Sequence, residues 1–174
     1  MKPVGPLLGL VLALAGCTAF EPQSSQPDPS ALSRPMAASD IDWARQNGTN
    51  TVNAVAATEA AGTRHTCNGQ SANLIPDSPY ARARMTAIFG SAAGGMRAAS
   101  AGPVKFERDD PLYVSSLRTT RCTPAGTFSF QHVPDGTWYV TTSVKWNGPS
   151  GVEGGSMMRR VELAGGKTVK VTLP

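Results

Sequence analysis

Apolar and polar residues alternate through much of the C-terminal half of the chain. Between residues 128 and 146, large apolar side chains recur at many alternate positions on either side of the Pro-Asp-Gly sequence of residues 134–136. A period of two residues is typical of half-buried β-strands, so this segment predicts two strands joined as a hairpin. A second alternating pair, on either side of the glycines at 165 and 166, predicts another hairpin.

Three further strand candidates lie upstream. Residues 112–122 are rich in β-forming residues, and residues 71–75 follow an Asn68-Gly69 pair that suits a tight turn with positive φ. Residues 51–58 are a poorer candidate because alanine, which has a low β-propensity, dominates them. These segments extend the predicted β structure into the N-terminal half of the domain.

One helix is expected within this β pattern. Ser78 can cap its N-terminus, Pro79 suits its first position and Gly90 ends it. Its apolar residues recur with helical spacing on one side, which should lie on a sheet. They are Ala81, Met85, Ile88 and Phe89. The Gly-, Ala- and Ser-rich residues 90–102 are then expected to form a mobile surface loop.

Short strands, frequent turns and one short inserted helix predict a mainly β fold, a β-sandwich of about seven strands. The residues GTFSFQHVPDGTWYV at positions 126–140 resemble the GxFxFxxVPxGxYxV pattern of carboxypeptidase regulatory-like domains. This resemblance implies an immunoglobulin- or transthyretin-like sandwich over residues 40–174. Domains of this family act as folding modules, spacers, carbohydrate-binding units and adhesin stalks, so the resemblance leaves the function open.

The N-terminus resembles that of a bacterial lipoprotein. An apolar run over residues 4–15 is shorter than the roughly 20 residues that span a bilayer. It ends in Leu-Ala-Gly-Cys, which is similar to a lipobox. The resemblance implies a signal peptide over residues 1–16 and a lipid attached to the sulfur of Cys17, whose acyl chains hold the protein on a membrane. In such lipoproteins an aspartate directly after the cysteine favours retention in the inner membrane, and this chain has Thr18 at that position. The resemblance therefore implies attachment to the outer membrane, on its periplasmic side or at the cell surface.

Residues 17–39 are expected to form a tether between the lipid and the domain. Four prolines lie among Ser, Gln and Ala in this segment, with few large apolar residues. Proline extends such a segment toward about 3.1 Å per residue. The tether would therefore hold the domain tens of ångströms from the bilayer.

Cys67 and Cys122 are the cysteines that remain beyond the lipobox. An exported domain meets an oxidising compartment, so a structural disulfide between them is the simplest outcome. On the chain-entropy model, closing a loop of about 55 residues stabilises the fold by roughly 4 kcal/mol. No metal site is expected, because His65 and His132 are not at a zinc-ligand spacing from these cysteines.

The sequence carries no recognisable catalytic motif, so neither an enzyme nor a cofactor is expected. A mild net charge of +4, spread along the chain, does not indicate nucleic acid as a partner. We therefore predict a structural or protein-interaction module that docks on another envelope protein through its edge strands or residues 90–102. The alternative is a carbohydrate- or peptidoglycan-binding module with two or three exposed aromatic residues. The candidates for that surface are Tyr80, Tyr113, Tyr139 and Trp146.

Overall fold

A computed structural model describes residues 28–149 and 151–174. The predicted signal peptide, Cys17 and the first part of the predicted tether lie outside the described residues. Within them the chain forms the helices α1 (Pro79–Phe89) and α2 (Pro111–Ser116), together with short three-ten helices at Pro29–Ser33, Ala38–Asp40, Asp42–Arg45 and Ala99–Ala101. The strands are β1 (Asn50–Ala60), β2 (Thr63–Thr66), β3 (Ser71–Pro76), β4 (Gly94–Ala98), β5 (Arg118–Arg121), β6 (Thr127–Val133), β7 (Gly136–Gly148), β8 (Gly151–Leu163) and β9 (Thr168–Leu173).

The strands form two sheets. In the first sheet, β1 is hydrogen-bonded to β2, β6 and β9, and the second sheet has the order β4-β8-β7-β3-β5. The pairings are antiparallel except for β1 and β9, which run parallel. The prediction of a mainly β sandwich is confirmed, with nine strands in the described part of the chain where about seven were expected.

Side chains from both sheets form the central core. In β6, Phe128 and Phe130 point inward and are buried, whereas Thr127 and Ser129 are exposed on the opposite face. Trp138 from β7 is fully buried in the same core. The two-residue period of the sequence therefore reports the inward and outward sides of these strands directly.

The alanine-rich strand β1 lies at the centre of the first sheet. Its inward residues Val52, Ala54 and Ala56 are all buried. In the strand register, Ala54 lies between Phe128 of β6 and Val171 of β9. Packing against these larger neighbours outweighs the low β-propensity of alanine, which explains why the sequence pattern underrated this strand.

The hairpin predicted over residues 128–146 is wrong, because β6 belongs to the first sheet and β7 to the second. A turn at Asp135 carries the chain from one sheet to the other. The side-chain amide of Asn50 donates a 2.8 Å hydrogen bond to the Asp135 carboxylate and so ties the turn to β1. Gly136 is required here, since a Cβ at this position would collide with the ring of Trp43.

The second predicted hairpin is wrong for the same reason. β8 belongs to the second sheet, and β9 returns to the first, where it pairs with β1. The backbone N–H of Gly165 donates to Asp135 at 3.1 Å, so the two crossings between the sheets are joined. The hairpin that does form connects β7 and β8, with Gly148 opposite Gly151.

The strand predicted over residues 112–122 is present only in its second half, as β5. Helix α2 occupies the first half because Asp110 caps it and a proline stands at its first position. The Asp110 carboxylate accepts hydrogen bonds from the N–H groups of Leu112 at 2.8 Å and Tyr113 at 3.4 Å. It also accepts one from Met36 at 3.0 Å. A local cap therefore overrides the β-propensity of the residues that follow.

Residues 90–102 were expected to form a mobile loop and instead contain β4 and a three-ten turn. β4 pairs with β8, with Met96 opposite Met157. This pairing was not predicted because glycine and alanine are poor β-formers. Helix α1 matches its prediction: the Ser78 side chain accepts a backbone hydrogen bond from the first turn, and Gly90 ends the helix at φ 76°.

A second, smaller core lies on the outer face of the second sheet. Helix α1 packs there against the buried side chains of Tyr139 from β7 and Met158 from β8. Met36 and Ile41, from the segment before β1, belong to the same core. Ala31 and Met36, which fall within the predicted tether of residues 17–39, are therefore buried against the domain. The proline-rich composition of this segment concealed these apolar residues in the sequence.

Candidate functional site

A shallow groove of about 670 Å³ lies on the outer face of the first sheet. We call it the polar groove. Its base is formed by the outward residues of three adjacent strands, and Thr120, Arg121 and Thr123 from the β5 side line its wall. The outward residues are Asn53 and Val55 from β1, Thr127 and Ser129 from β6, and Lys170 and Thr172 from β9.

The strand register arranges these outward residues in two rows across the sheet. Asn53 lies between Ser129 of β6 and Lys170 of β9. In the next row, Val55 lies between Thr127 and Thr172 in the same way. Neighbouring strands are about 4.8 Å apart, so the first row presents three polar side chains at that spacing. The second row presents two threonines, one on each side of Val55.

Several polar groups in the groove remain free to bind a ligand. Ser129 Oγ donates to Asn53 Oδ1 at 2.9 Å, which leaves both N–H bonds of the Asn53 amide unused. The hydroxyl of Thr172 and the ammonium group of Lys170 make no hydrogen bond to any residue that the structure describes. The groove therefore offers donors and acceptors that no residue in the described part of the chain satisfies.

The disulfide lies beside the wall of the groove. Cys67 follows β2 in the first sheet, Cys122 follows β5 in the second, and their Cα atoms are 5.7 Å apart in the bonded pair. This confirms the predicted pairing. The side chains of Thr123 and Thr127 hydrogen-bond to each other at 2.8 Å next to Cys122. The disulfide thus fixes the β5 side of the groove against the first sheet.

The tyrosines proposed as a ligand surface do not form one, because all three are buried. Tyr80 belongs to α1 and Tyr113 to α2; both side chains point into the second core, with their ring centroids 5.3 Å apart. Tyr139 is fully buried and donates its hydroxyl to Asp77 at 3.1 Å. Burial raises the pKa of Tyr113 to about 12. Burial and, to a smaller extent, the Asp77 carboxylate raise the pKa of Tyr139 to about 12.

Trp146 is the fourth predicted residue and lies apart from the three tyrosines. It is half-buried at the far end of β7, and its ring stacks on His65 of β2, with centroids 4.0 Å apart. The ring also lies so close to Gly154 that a Cβ there would meet it at 2.6 Å. Its Nε1 donates to Glu153 at 3.0 Å. These contacts occupy the ring in packing, so it does not provide an open platform for a sugar.

A second cavity, of about 450 Å³, lies between helices α1 and α2 and the second sheet. Its charged residues, Arg84 and Asp109, form an ion pair at 2.7 Å. The guanidinium of Arg84 also lies 3.9 Å from the ring centroid of Phe106. Because these charges satisfy each other, the cavity is a weaker ligand site than the polar groove.

Neither a metal cluster nor a membrane-spanning helix is present in the described ranges. Residues 28–149 and 151–174 contain no group of three or more His, Cys, Asp or Glu side chains placed to hold a metal ion. They also contain no helix that is long and apolar enough to cross a membrane. Cys17, the predicted lipidation site, lies outside these ranges and stays a prediction.

The polar groove was missed in the sequence because its residues are individually ordinary. Asn53, Ser129 and Lys170 come from strands that are far apart in the chain. One signal was present: outward positions of the predicted strands β6 and β9 carry Thr, Ser and Lys rather than apolar residues. That pattern marks an exposed sheet face but cannot show which strands lie side by side.

Comparison with protein-family models and with curated proteins finds no match for this chain. The fold is similar to a solved structure from Pseudomonas aeruginosa, described as a "putative carbohydrate binding protein". The TM-score is 0.68 and the sequence identity 24%, over 80% of this chain and 97% of that one. At this identity the similarity establishes a shared fold.

Proposed function

We propose that the protein is a non-catalytic glycan-binding module of the bacterial envelope and that the polar groove is its binding surface. The observation that carries this proposal is the pair of rows of exposed amide, hydroxyl and ammonium groups across β6, β1 and β9. Sugars present hydroxyl groups along their length, and a flat array of donors and acceptors can bind several at once. The structural neighbour's description as a "putative carbohydrate binding protein" supports the same class of ligand.

The groove is open, which favours a chain over an enclosed small molecule. Its outward residues include no aromatic ring, so binding rests on hydrogen bonds rather than on stacking. Each hydrogen bond exchanged with water contributes about 1 kcal/mol, so four of them correspond to a Kd on the order of millimolar. Such weak binding suits a polymer that many copies of the protein contact at once.

The proposed location follows from the lipobox at residues 14–17. The first described residues support a particular orientation. The three-ten helix at Pro29–Ser33 packs against α1, on the outer face of the second sheet. The polar groove lies on the opposite side of the sandwich, so a lipid at Cys17 would leave it facing away from the point of attachment. Cys17→Ser should accumulate as an uncleaved precursor without labelled palmitate; normal processing would contradict the anchor.

A glycan array tests the proposed function. The folded domain should bind a defined subset of glycans, and Asn53→Ala or Ser129→Ala should weaken that binding about fivefold, as expected for one hydrogen bond. Ser115→Ala, at an exposed position of α2, is the matched control and should bind like the wild type. No binding to any glycan, or binding that both groove variants leave unchanged, would contradict the proposal.

Protein docking is the second candidate, and the free edge of β4 favours it. β4 ends the second sheet, and its Met96 side chain is 41% exposed. An unpaired strand edge offers backbone donors and acceptors to another chain. In-cell cross-linking to an envelope protein that Met96→Lys abolishes and Ser129→Ala preserves would identify this edge as the functional surface.

A further inference from the structure

Two cations line the polar groove, and no carboxylate does. Lys170 extends from β9 in the same row as Asn53, and Arg121 stands at the wall beside β5. Both side chains belong to exposed residues. Among the residues that line the groove, none is Asp or Glu, so the surface carries positive charge alone.

Neither cation is neutralised by a residue that the structure describes. Ion pairs in the described ranges involve other arginines, such as Arg84 and Arg160, and neither Lys170 nor Arg121 takes part in one. Arg121 Nη1 donates to the carbonyl oxygen of Gly69 at 2.9 Å, which positions the guanidinium but leaves its charge uncompensated. Its remaining N–H groups are available to a ligand.

Two arginines on the other side of the sandwich are placed differently. Arg84 is paired with Asp109, and Arg97 donates to the carbonyl oxygens of Ala101 and Gly102 at 3.0 Å. Those side chains hold loops and helices together. Lys170 of the polar groove, in contrast, extends from a regular strand and makes no hydrogen bond or ion pair with a residue that the structure describes. Arg121 contacts the turn between β2 and β3 through one hydrogen bond to the Gly69 carbonyl oxygen.

We propose that the polar groove selects acidic glycans, whose carboxylate or sulfate groups bind Lys170 and Arg121. This inference rests on the proposed glycan-binding function and specifies its ligand class. Hydrogen bonds between a cation and an anionic oxygen are about twice as strong as neutral ones. The uncharged donors in the groove, such as the Asn53 amide and the Thr172 hydroxyl, would then contact the sugar hydroxyls between the acidic groups.

An array that carries neutral, uronate-containing and sulfated glycans tests this selection. Wild type should bind mainly the acidic glycans, and Lys170→Met should weaken that binding about tenfold. Lys105→Met removes the same charge from an exposed position on the far side of the molecule and should bind like wild type. Lys170→Arg should restore most of the affinity, and raising the NaCl concentration from about 50 to 500 mM should weaken it.

The outcomes separate the two proposals. If wild type binds mainly neutral glycans and Ser129→Ala abolishes that binding, the proposed glycan-binding function stands and the proposed selection of acidic glycans is wrong. Acidic glycans that bind Lys170→Met as well as wild type, or that Lys105→Met weakens equally, would also overturn it, because the attraction would then come from net charge. An array without any bound glycan would contradict the proposed function itself.

Discussion

The two outer faces of this sandwich are built from the same kind of strand but differ in what covers them. On the second sheet, the outward side chains of Tyr139 and Met158 are fully buried under helix α1 and the segment before β1. On the first sheet, the outward side chains of Asn53, Ser129 and Lys170 are exposed. The covered face therefore contributes a second core, whereas the polar face of the first sheet remains exposed.

The strands themselves record this difference. In β7 three consecutive residues, from Trp138 to Val140, are buried, because one side of the strand meets the central core and the other meets α1. In β6, buried and exposed residues alternate from Thr127 to Phe130. A run of buried residues thus marks a covered strand, and strict alternation marks a strand with one bare side.

The largest expected effect comes from the disulfide that links the two sheets. Replacing Cys67 and Cys122 with serine should reduce the free energy of unfolding by roughly 4 kcal/mol, since the disulfide closes a loop with a sequence separation of 55. For a domain of this size the melting temperature should fall by about 10 °C, which calorimetry can measure. Wild-type protein purified from the envelope with two free thiols would show that the bond does not form.

A pair of hydroxyl deletions compares the two faces directly. Tyr139→Phe removes the 3.1 Å hydrogen bond to the buried Asp77 carboxylate and should cost about 1.5 to 3 kcal/mol of unfolding free energy. Ser129→Ala removes the 2.9 Å bond to Asn53 on the bare face and should change it by less than about 0.5 kcal/mol. Urea denaturation of both variants measures these two changes in the free energy of unfolding. Equal losses would mean that the polar face also holds the fold together.

Low pH should reduce the stability of the covered face, because the Asp110 carboxylate that caps α2 becomes protonated. Burial raises the pKa of Asp110, but backbone N–H groups from Met36, Leu112 and Tyr113 outweigh it and lower the pKa below its usual value. A lowered pKa stabilises the fold above about pH 4, and that contribution is lost as the pH falls through the folded-state value. Asp110→Ala should therefore cost about 1 kcal/mol at pH 7, and less below pH 4.

Unfolding curves for wild type and Asp110→Ala between about pH 2 and 7 measure this convergence. Glu59→Ala, at an exposed position of β1, controls for the loss of one negative charge. A difference between Asp110→Ala and wild type that stays constant over the whole range would show that the Asp110 carboxylate does not act through its ionised form.

Local signals in the sequence predicted local structure well. Ser78, Pro79 and Gly90 placed α1 correctly, and the cysteine count placed the disulfide. The sandwich itself followed from alternating strands. In each case the physical cause lies within a few residues or in a chemistry that a single residue type carries.

Pairing and site composition could not be predicted in the same way. Alternation around Asp135 identified β6 and β7, but only the tertiary contacts of Asn50 and Trp43 show that the chain crosses between sheets there. Tyr139 was expected at the surface because apolar and polar residues alternate along β7. Helix α1 covers the outer side of that strand, so Tyr139 is buried. The polar groove combines residues from three strands and has no counterpart in any one segment.

The central claim is that ligands bind the bare face and not the covered one. Titrating the strongest array glycan into ¹⁵N-labelled domain, and following the backbone amide signals, tests it most directly. The shifts should be concentrated at Asn53, Ser129 and Lys170, and the signals of Met85 in α1 and Met96 in β4 should not move. Shifts confined to α1 or β4, with the polar groove unaffected, would contradict it.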